Sequence, residues 1–361
     1  MKIDLTLTPI ENHLEDPGWP LLIAGPCSAE SEQQMLDTAR QLKASRRVSC
    51  FRAGVWKPRT RPGAFEGVGE IGLEWLRSVK QETGLMTACE VATAEHARLA
   101  MRYGVDVLWV GARTSANPFS VQEIADTIRG CDVTVLVKNP VNPDLQLWIG
   151  ALERVNRAGI TRLGAIHRGF SAYEKIAFRN APLWNIAIEL KSACPGLPVI
   201  CDPSHIAGAR DLVPLIAQKA LDLDMHGLMV EVHNNPDAAK SDAAQQLLPV
   251  DYARMIRELR LREASPRELP TLEGYRQEID ALDDGIMQRL ARRMEFSRKI
   301  GEYKRENNLM VLQLSRWEDI LHNRVAMGRA MGMDEGFVKK FLELVHEESI
   351  NLQAEIMNGE E

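Results

Sequence analysis

Cys27, His205 and Glu231, with Asp242, offer the sulfur, nitrogen and oxygen donors that a divalent transition-metal ion accepts. Interspersed with them stand Arg52, Lys57, Arg59, Arg113, Lys138 and Arg168, which suit phosphorylated substrates. Arginine grips a phosphate through two N–H groups at once, and lysine supplies a compact charge. Separations this long leave a second reading open. In it Cys27 is a small buried hydrophobe, His205 is a hydrogen-bonded structural residue, and each Arg or Lys is a solvated surface charge. What favours chemistry is where these residues fall in the pattern of predicted elements.

Eight short apolar, β-branched runs recur along the first two thirds of the chain: Leu21–Gly25, Val48–Ala53, Met86–Val91, Val107–Gly111, Val133–Lys138, Leu163–Arg168, Pro198–Asp202 and Gly227–Val232. Helix-like segments fill the intervals, so the runs read as parallel strands joined by helical crossovers. No G-x-G-x-x-G follows the first run, and eight units at this spacing fit a closed (β/α)8 barrel better than an open sheet. Barrel active sites form at the C-terminal ends of the strands. There, in chain order, stand Cys27, Arg52 with Lys57 and Arg59, Glu90, Arg113, Lys138, Arg168, Asp202 with His205, and Glu231 with His233. Cations gathered at one mouth repel each other unless anions bind among them.

The pattern changes after Arg262. The stretch 263–271 carries two prolines and no periodicity, and beyond it Leu272, Tyr275, Ile279, Leu282, Ile286 and Leu290 step by three or four, as in a helix. The expected organisation is therefore a barrel over 1–262, a linker over 263–271 and an all-α domain over 272–361. The first tail helix is too long to bury its apolar stripe alone and needs partner helices, within the chain and from a second copy. The 361 residues carry 44 Lys+Arg against 50 Asp+Glu, a net charge of −6, of which the tail from 271 contributes −5 (13 basic, 18 acidic). With no long basic tract, nucleic acid and anionic membranes are not expected partners. With no export signal or membrane-span-length apolar run, and six cysteines free of any C-x-x-C pair, a cytoplasmic protein with reduced thiols is expected.

The segments GPCSAES (Gly25–Ser31), FRAGVWKPRT (Phe51–Thr60), GART (Gly111–Thr114), VKNP (Val137–Pro140), DPSH (Asp202–His205), EVH (Glu231–His233) and SDA (Ser241–Ala243) resemble type I 3-deoxy-D-arabino-heptulosonate-7-phosphate (DAHP) synthase, over about residues 15–260. That family is a (β/α)8 barrel condensing phosphoenolpyruvate with erythrose 4-phosphate. The resemblance implies Cys27, His205, Glu231 and Asp242 as ligands of a divalent metal ion, manganese foremost, with iron, cobalt or zinc as alternatives. It implies Arg52, Lys57, Arg113, Lys138 and Arg168 around phosphoenolpyruvate, with Asp202 also at the substrates. Arg59 and Thr60 would hold the sugar phosphate, and Glu90 would stand near the water that adds to C2. Lys57 and Glu90 are the expected catalytic residues of the barrel. Arg61 departs from the Ser or Thr usual after KPRT.

The tail resembles the all-helical chorismate mutase through R-x-E-I-D-x-L-D (Arg276–Asp283), Arg293, G-x-Y-K (Gly301–Lys304), Arg316, and Ser349 with Gln353. Arg293 and Lys304 share a helix face about 16 Å apart, whereas Arg276 lies some 25 Å from Arg293 and about 100° round the helix. The resemblance resolves that geometry, because the first Arg of the family serves the partner subunit of an intertwined helical dimer. It implies Arg293, Lys304 and Gln353 as catalytic residues, Arg276, Gln313, Arg316 and Ser349 as further chorismate contacts, and no cofactor. Gln313 and Trp317 stand where some relatives place acids. The chain is thus expected to be a bifunctional homodimer or higher oligomer, with prephenate as product and feedback inhibitor. The alternative is a synthase whose tail serves mainly for oligomerisation and for sensing prephenate or chorismate.

Overall fold

The computed structural model describes residues 2–9, 20–45, 47–58, 63–173, 176–262 and 270–359. Eight strands, β1 (Leu21–Gly25), β2 (Cys50–Arg52), β3 (Met86–Val91), β4 (Val107–Val110), β5 (Thr134–Lys138), β6 (Leu163–His167), β7 (Val199–Cys201) and β8 (Gly227–Glu231), pair in sequence order. All pairs are parallel, and β8 returns to β1 from Leu21↔Gly227 to Gly25↔Glu231, closing the barrel as the strand pattern predicts. Among the described residues ten α-helices accompany it: α1 (Glu32–Ala44), α2 (Ile71–Thr83), α3 (Ala94–Arg102), α4 (Ala112–Ser115), α5 (Pro118–Thr127), α6 (Leu145–Arg157), α7 (Trp184–Ala193), α8 (Pro203–Ala207), α9 (Val213–Asp222) and α10 (Pro249–Glu258). Their starts follow from local chemistry. Ser31, Thr93, Asn117 and Asp144 each accept a backbone N–H of the first turn, and Pro118 gives up no hydrogen bond at the head of α5.

The strand pleat creates two cores. Ile23, Cys50, Ala88, Trp109, Leu136, Ile166, Ile200 and Met229 fill the barrel interior, while their chain neighbours Ala24, Phe51, Cys89, Leu108, Val137, Ala165, Val199 and Val230 pack outward against the helices. Because the side-chain period is two, the residue two places beyond each interior apolar residue also points inward, now at the mouth. Cys50 is thus followed by Arg52, Ala88 by Glu90, Leu136 by Lys138, Ile166 by Arg168, Ile200 by Asp202 and Met229 by Glu231. Residues 2–9 add a strap at the outer layer, with Ile3 N donating to Ala193 O (2.7 Å) and Thr8 N to Thr161 O (2.9 Å).

His167 ends β6 facing outward, among Trp148, Phe170 and Trp184. Burial, the largest influence, pushes its pKa from 6.5 down to about 4. The unfolded chain therefore takes up a proton that the folded chain refuses, and stability falls as pH drops through that window, by about 3 kcal/mol at its lower end. His167→Phe keeps the aromatic packing and cannot titrate. It is expected to flatten the fall in denaturant midpoint between about pH 7 and about pH 4.5, and a fall as steep as that of the unaltered protein would mean that the folded imidazole is charged.

The chain divides into two compact units, Met1–Ala264 and Ser265–Glu361. The latter holds α11 (Pro270–Glu306), α12 (Leu314–Ala330) and α13 (Glu335–Asn358). Helix α11 packs mainly against α13, and Asp334 caps α13 by accepting Phe337 N (2.8 Å). Among the described residues of this unit, Val338 is the single buried apolar side chain, whereas Tyr275, Ile279, Leu282, Ile286, Phe296 and Tyr303 of α11 are exposed. Three helices with so little interior leave a continuous apolar stripe facing outward.

Candidate active sites

At the barrel mouth, close approach comes first. A Cβ on Gly25 would stand 2.1 Å from Arg52 O, so only glycine lets the end of β1 lie against β2. Cys27 follows directly, buried, and is held by its backbone: Cys27 N donates to Gln246 Oε1 (2.9 Å), and Arg52 Nη2 and Lys57 Nζ both donate to Cys27 O (3.1 Å each). Its Sγ lies 3.0 Å from Lys57 Nζ and 3.3 Å from Asp242 Oδ2. Burial, then the Glu231 carboxylate, push the thiol up to about 12.

Cys27, Glu231 and Asp242 bring one donor atom each within 4.8 Å of one another. His205 completes the group, its Nε2 3.7 Å from Glu231 Oε1 and 3.8 Å from Asp242 Oδ2. Its other nitrogen, Nδ1, lies 2.8 Å from Asp202 Oδ2 without the alignment of a hydrogen bond, while Nε2 faces the two acids. Burial lowers the His205 pKa and keeps the ring neutral, the form in which imidazole acts as a ligand. Asp202, wholly buried, also pairs with Lys138 Nζ (2.8 Å) and caps α8 by accepting His205 N (3.1 Å). Against the cost of burial, the Lys138 ammonium holds its carboxyl well below the usual carboxylate range.

The two acids are braced in different ways. Glu231 Oε2 accepts from Gln245 Nε2 (2.7 Å) and Glu231 N donates to Ser204 Oγ (2.9 Å), while Arg52 Nη1 lies 3.4 Å from Oε1. That Oε1 is buried and accepts no hydrogen bond, an acceptor aimed at Cys27 and Asp242. Asp242 sits at φ 48°, the left-handed region, and its Oδ1 pairs with Arg179 Nη1 (3.1 Å). One sulfur, one nitrogen and two carboxylates around a single point form a donor set that fits a divalent transition metal.

The cations line the same mouth. Arg52, Lys57 and Lys138 are buried, and Arg168 is partly exposed with its pKa lowered by burial to about 10, so it stays charged near neutrality. Asn139 fixes the loop that carries Arg168, accepting Arg168 N at Oδ1 (2.7 Å) and donating from Nδ2 to Gly169 O (2.8 Å). Glu90 accepts from Trp109 Nε1 (3.1 Å). Arg113 is exposed on α4. Arg59, Thr60 and Arg61 lie outside the described residues. Sequence reasoning missed Trp109 and Arg179. The pleat that turns Val107 inward turns Trp109 inward as well, a signal that was available. Arg179, in the loop before α7, carries no such signal.

In the helical unit, Arg293 on α11 reaches α13, with Nη1 donating to Val345 O (3.1 Å) and to Ser349 Oγ. Lys304 Nζ donates to Gln353 Oε1 (2.9 Å) and to Val311 O (2.5 Å), and Gln353 Nε2 donates to Ser349 O (3.0 Å). A Cβ on Gly301 would lie 3.1 Å from Gln353 Cα, so glycine permits this closeness of α11 and α13. Trp317 stacks on His346 with ring centroids 4.0 Å apart. Arg276, Gln313 and Arg316 are exposed, Arg276 with Glu273 3.6 Å away and Gln313 at the N-cap position of α12. Arg293, Lys304, Ser349 and Gln353 are thus gathered, whereas Arg276 stands about 25 Å along α11 from Arg293.

Residues 15–262 match the model of the DAHP synthetase I family, and residues 275–354 match that of chorismate mutase type II. A phospho-2-dehydro-3-deoxyheptonate aldolase of Thermotoga maritima is 31% identical over 67% of this chain and 70% of its own. A 2-dehydro-3-deoxyphosphooctonate aldolase of Laribacter hongkongensis is 30% identical over 61% of this chain and 83% of its own. A crystal structure of the Thermotoga maritima DAHP synthase superposes with a TM-score of 0.61 at 28% identity, covering 71% of this chain and 75% of that one.

Proposed function

Since the chain belongs to the DAHP synthetase I family and ends in a chorismate mutase type II domain, we propose that one protein catalyses two steps of aromatic biosynthesis: condensation of phosphoenolpyruvate with erythrose 4-phosphate to DAHP and phosphate, and rearrangement of chorismate to prephenate. The observation that carries the first is the convergence of Cys27, His205, Glu231 and Asp242 beside the buried cations Arg52, Lys57 and Lys138. A divalent ion held by those four residues, manganese foremost, would polarise the aldehyde of the sugar phosphate. Arg52, Lys57, Arg113, Lys138 and Arg168 neutralise phosphoenolpyruvate and hold its C3 against the aldehyde carbon. C3 attacks, water adds to the cationic C2 and phosphate leaves, with Glu90 placed to orient that water. Arg59 and Thr60 take the sugar phosphate, and Asp202 keeps Lys138 aimed at the substrates.

The mutase step needs neither acid–base nor covalent work. It needs a compressed conformer and stabilisation of the negative charge developing on the ether oxygen. Arg293 and Arg316 suit the carboxylates, and Lys304 with Gln353 the ether oxygen. The exposed stripe on α11 supports a homodimer in which Arg276 completes the partner's pocket. Prephenate, formed in the tail, is the proposed feedback inhibitor of the barrel.

Assaying both reactions on the full-length protein with and without EDTA tests the reading. The chelator is expected to abolish condensation and leave mutase turnover intact. Retained condensation in metal-free protein would remove the metal site. Prephenate binding without mutase turnover would instead make the tail a sensing module. Unchanged synthase rates at saturating prephenate would end the feedback reading.

A further inference from the structure

Resting on the condensation just proposed, we infer that Trp109 is a positioning residue of the barrel site, holding three of its charged groups from below. Its side chain, wholly buried, occupies the barrel interior as part of β4. Its Nε1 donates to Glu90 Oε2 at 3.1 Å, and its ring lies under Arg52, whose Cζ is 4.7 Å from the centroid, and near Lys138, whose Nζ is 5.8 Å away. One indole thus touches groups delivered by β2, β3 and β5.

Volume alone does not account for this arrangement. Nε and Nη1 of Arg52 are buried and make no hydrogen bond, so beyond the Glu231 carboxylate and Cys27 O the guanidinium rests on the π face of Trp109. An aliphatic residue would fill the barrel but offer the cation nothing, and phenylalanine would keep the face but lose the N–H. The chain also clears the opposite side of Glu90. A Cβ on Gly111 would stand 2.1 Å from Glu90 Oε1, so the carboxylate fits between the indole N–H and a glycine two residues further along. Trp109 and Gly111 together fix Glu90 against the mouth, while the ring face fixes Arg52 and Lys138.

The two contacts separate kinetically. Trp109→Phe, assayed as manganese-loaded full-length protein, is expected to keep KM for phosphoenolpyruvate within about twofold and to lower kcat about tenfold or more, since Glu90 alone is released. Trp109→Leu removes the face as well and is expected to raise that KM about fivefold. Gly111→Ala displaces Glu90 without touching the indole and is expected to reproduce the kcat loss of Trp109→Phe. Adding Trp109→Phe to Glu90→Ala is expected to cost nothing beyond Glu90→Ala alone, because both remove the hydrogen bond between the indole N–H and the Glu90 carboxylate. Additive losses, or variants that melt earlier with kcat and KM unchanged, would reduce Trp109 to core packing. Should Trp109→Leu fail to fold, Trp109→Phe and Gly111→Ala still decide the matter. Absence of condensation by the unaltered protein would overturn the functional reading itself, a result distinct from any of these.

Discussion

Cys27→Ala is expected to lower condensation about a thousandfold while leaving chorismate turnover within about twofold. The thousandfold corresponds to about 4 kcal/mol of transition-state stabilisation, the scale of polarising a carbonyl with a bound cation. Cys27 is singled out among the four candidate ligands because it alone supplies sulfur, and its position is fixed from three sides by Gln246, Arg52 and Lys57. Removing Sγ therefore leaves the surrounding backbone contacts in place. Its thiol is raised to about 12 by burial and by Glu231, a cost that a divalent ion between the acids would reverse by favouring the thiolate. Manganese titration followed calorimetrically should accordingly show tight binding and proton release in the unaltered protein, with both lost in Cys27→Ala. Cys27→Ser should fall between the two. Full condensation activity and unchanged manganese affinity in Cys27→Ala would exclude Cys27 as a ligand and with it the four-residue site.

How much of this was legible from the sequence depends on the distance over which each contact acts. The barrel was legible because a pleat is local: alternation within each short run places Arg52, Lys138, Arg168, Asp202 and Glu231 on the inner face. The bracing around them was not, because it joins segments far apart in the chain. Cys27 meets Gln246, Glu231 meets Gln245 and Asp242 meets Arg179 through loops whose course depends on the closed barrel. The left-handed conformation of Asp242 had no local marker, since asparagine or glycine would be the ordinary occupant there. In the tail the periodicity announced α11, whose apolar stripe stays exposed within the unit. Helix α11 begins at Pro270, inside the stretch read as linker, because proline is well tolerated in a first helical turn.

Lys304→Ala carries the complementary expectation: mutase kcat about a hundred- to a thousandfold lower, with condensation unaffected. In the folded chain Lys304 Nζ is anchored by Gln353 Oε1 and Val311 O, and Gln353 is itself tied to Ser349 O, so the ammonium is held before substrate arrives. A charge already in place stabilises the developing oxyanion without reorganising, which is why its loss should appear in kcat more than in KM. The substitution also leaves Gln353 Oε1 and Val311 O without their donor, at a cost of about 1–3 kcal/mol in stability, so thermal melting must accompany the kinetics. Lys304→Arg separates the two effects: it restores a donor and a charge on a bulkier head, and should recover stability before it recovers rate. On the proposed reading, in which Arg293 meets a substrate carboxylate charged throughout the reaction, Arg293→Ala should differ in kind and raise KM strongly; its guanidinium is anchored at Val345 O and Ser349 Oγ. Equal losses of kcat and melting temperature in Lys304→Ala, with Lys304→Arg restoring both together, would show Lys304 to be a structural cross-link between α11 and α13 rather than the group that answers the ether oxygen.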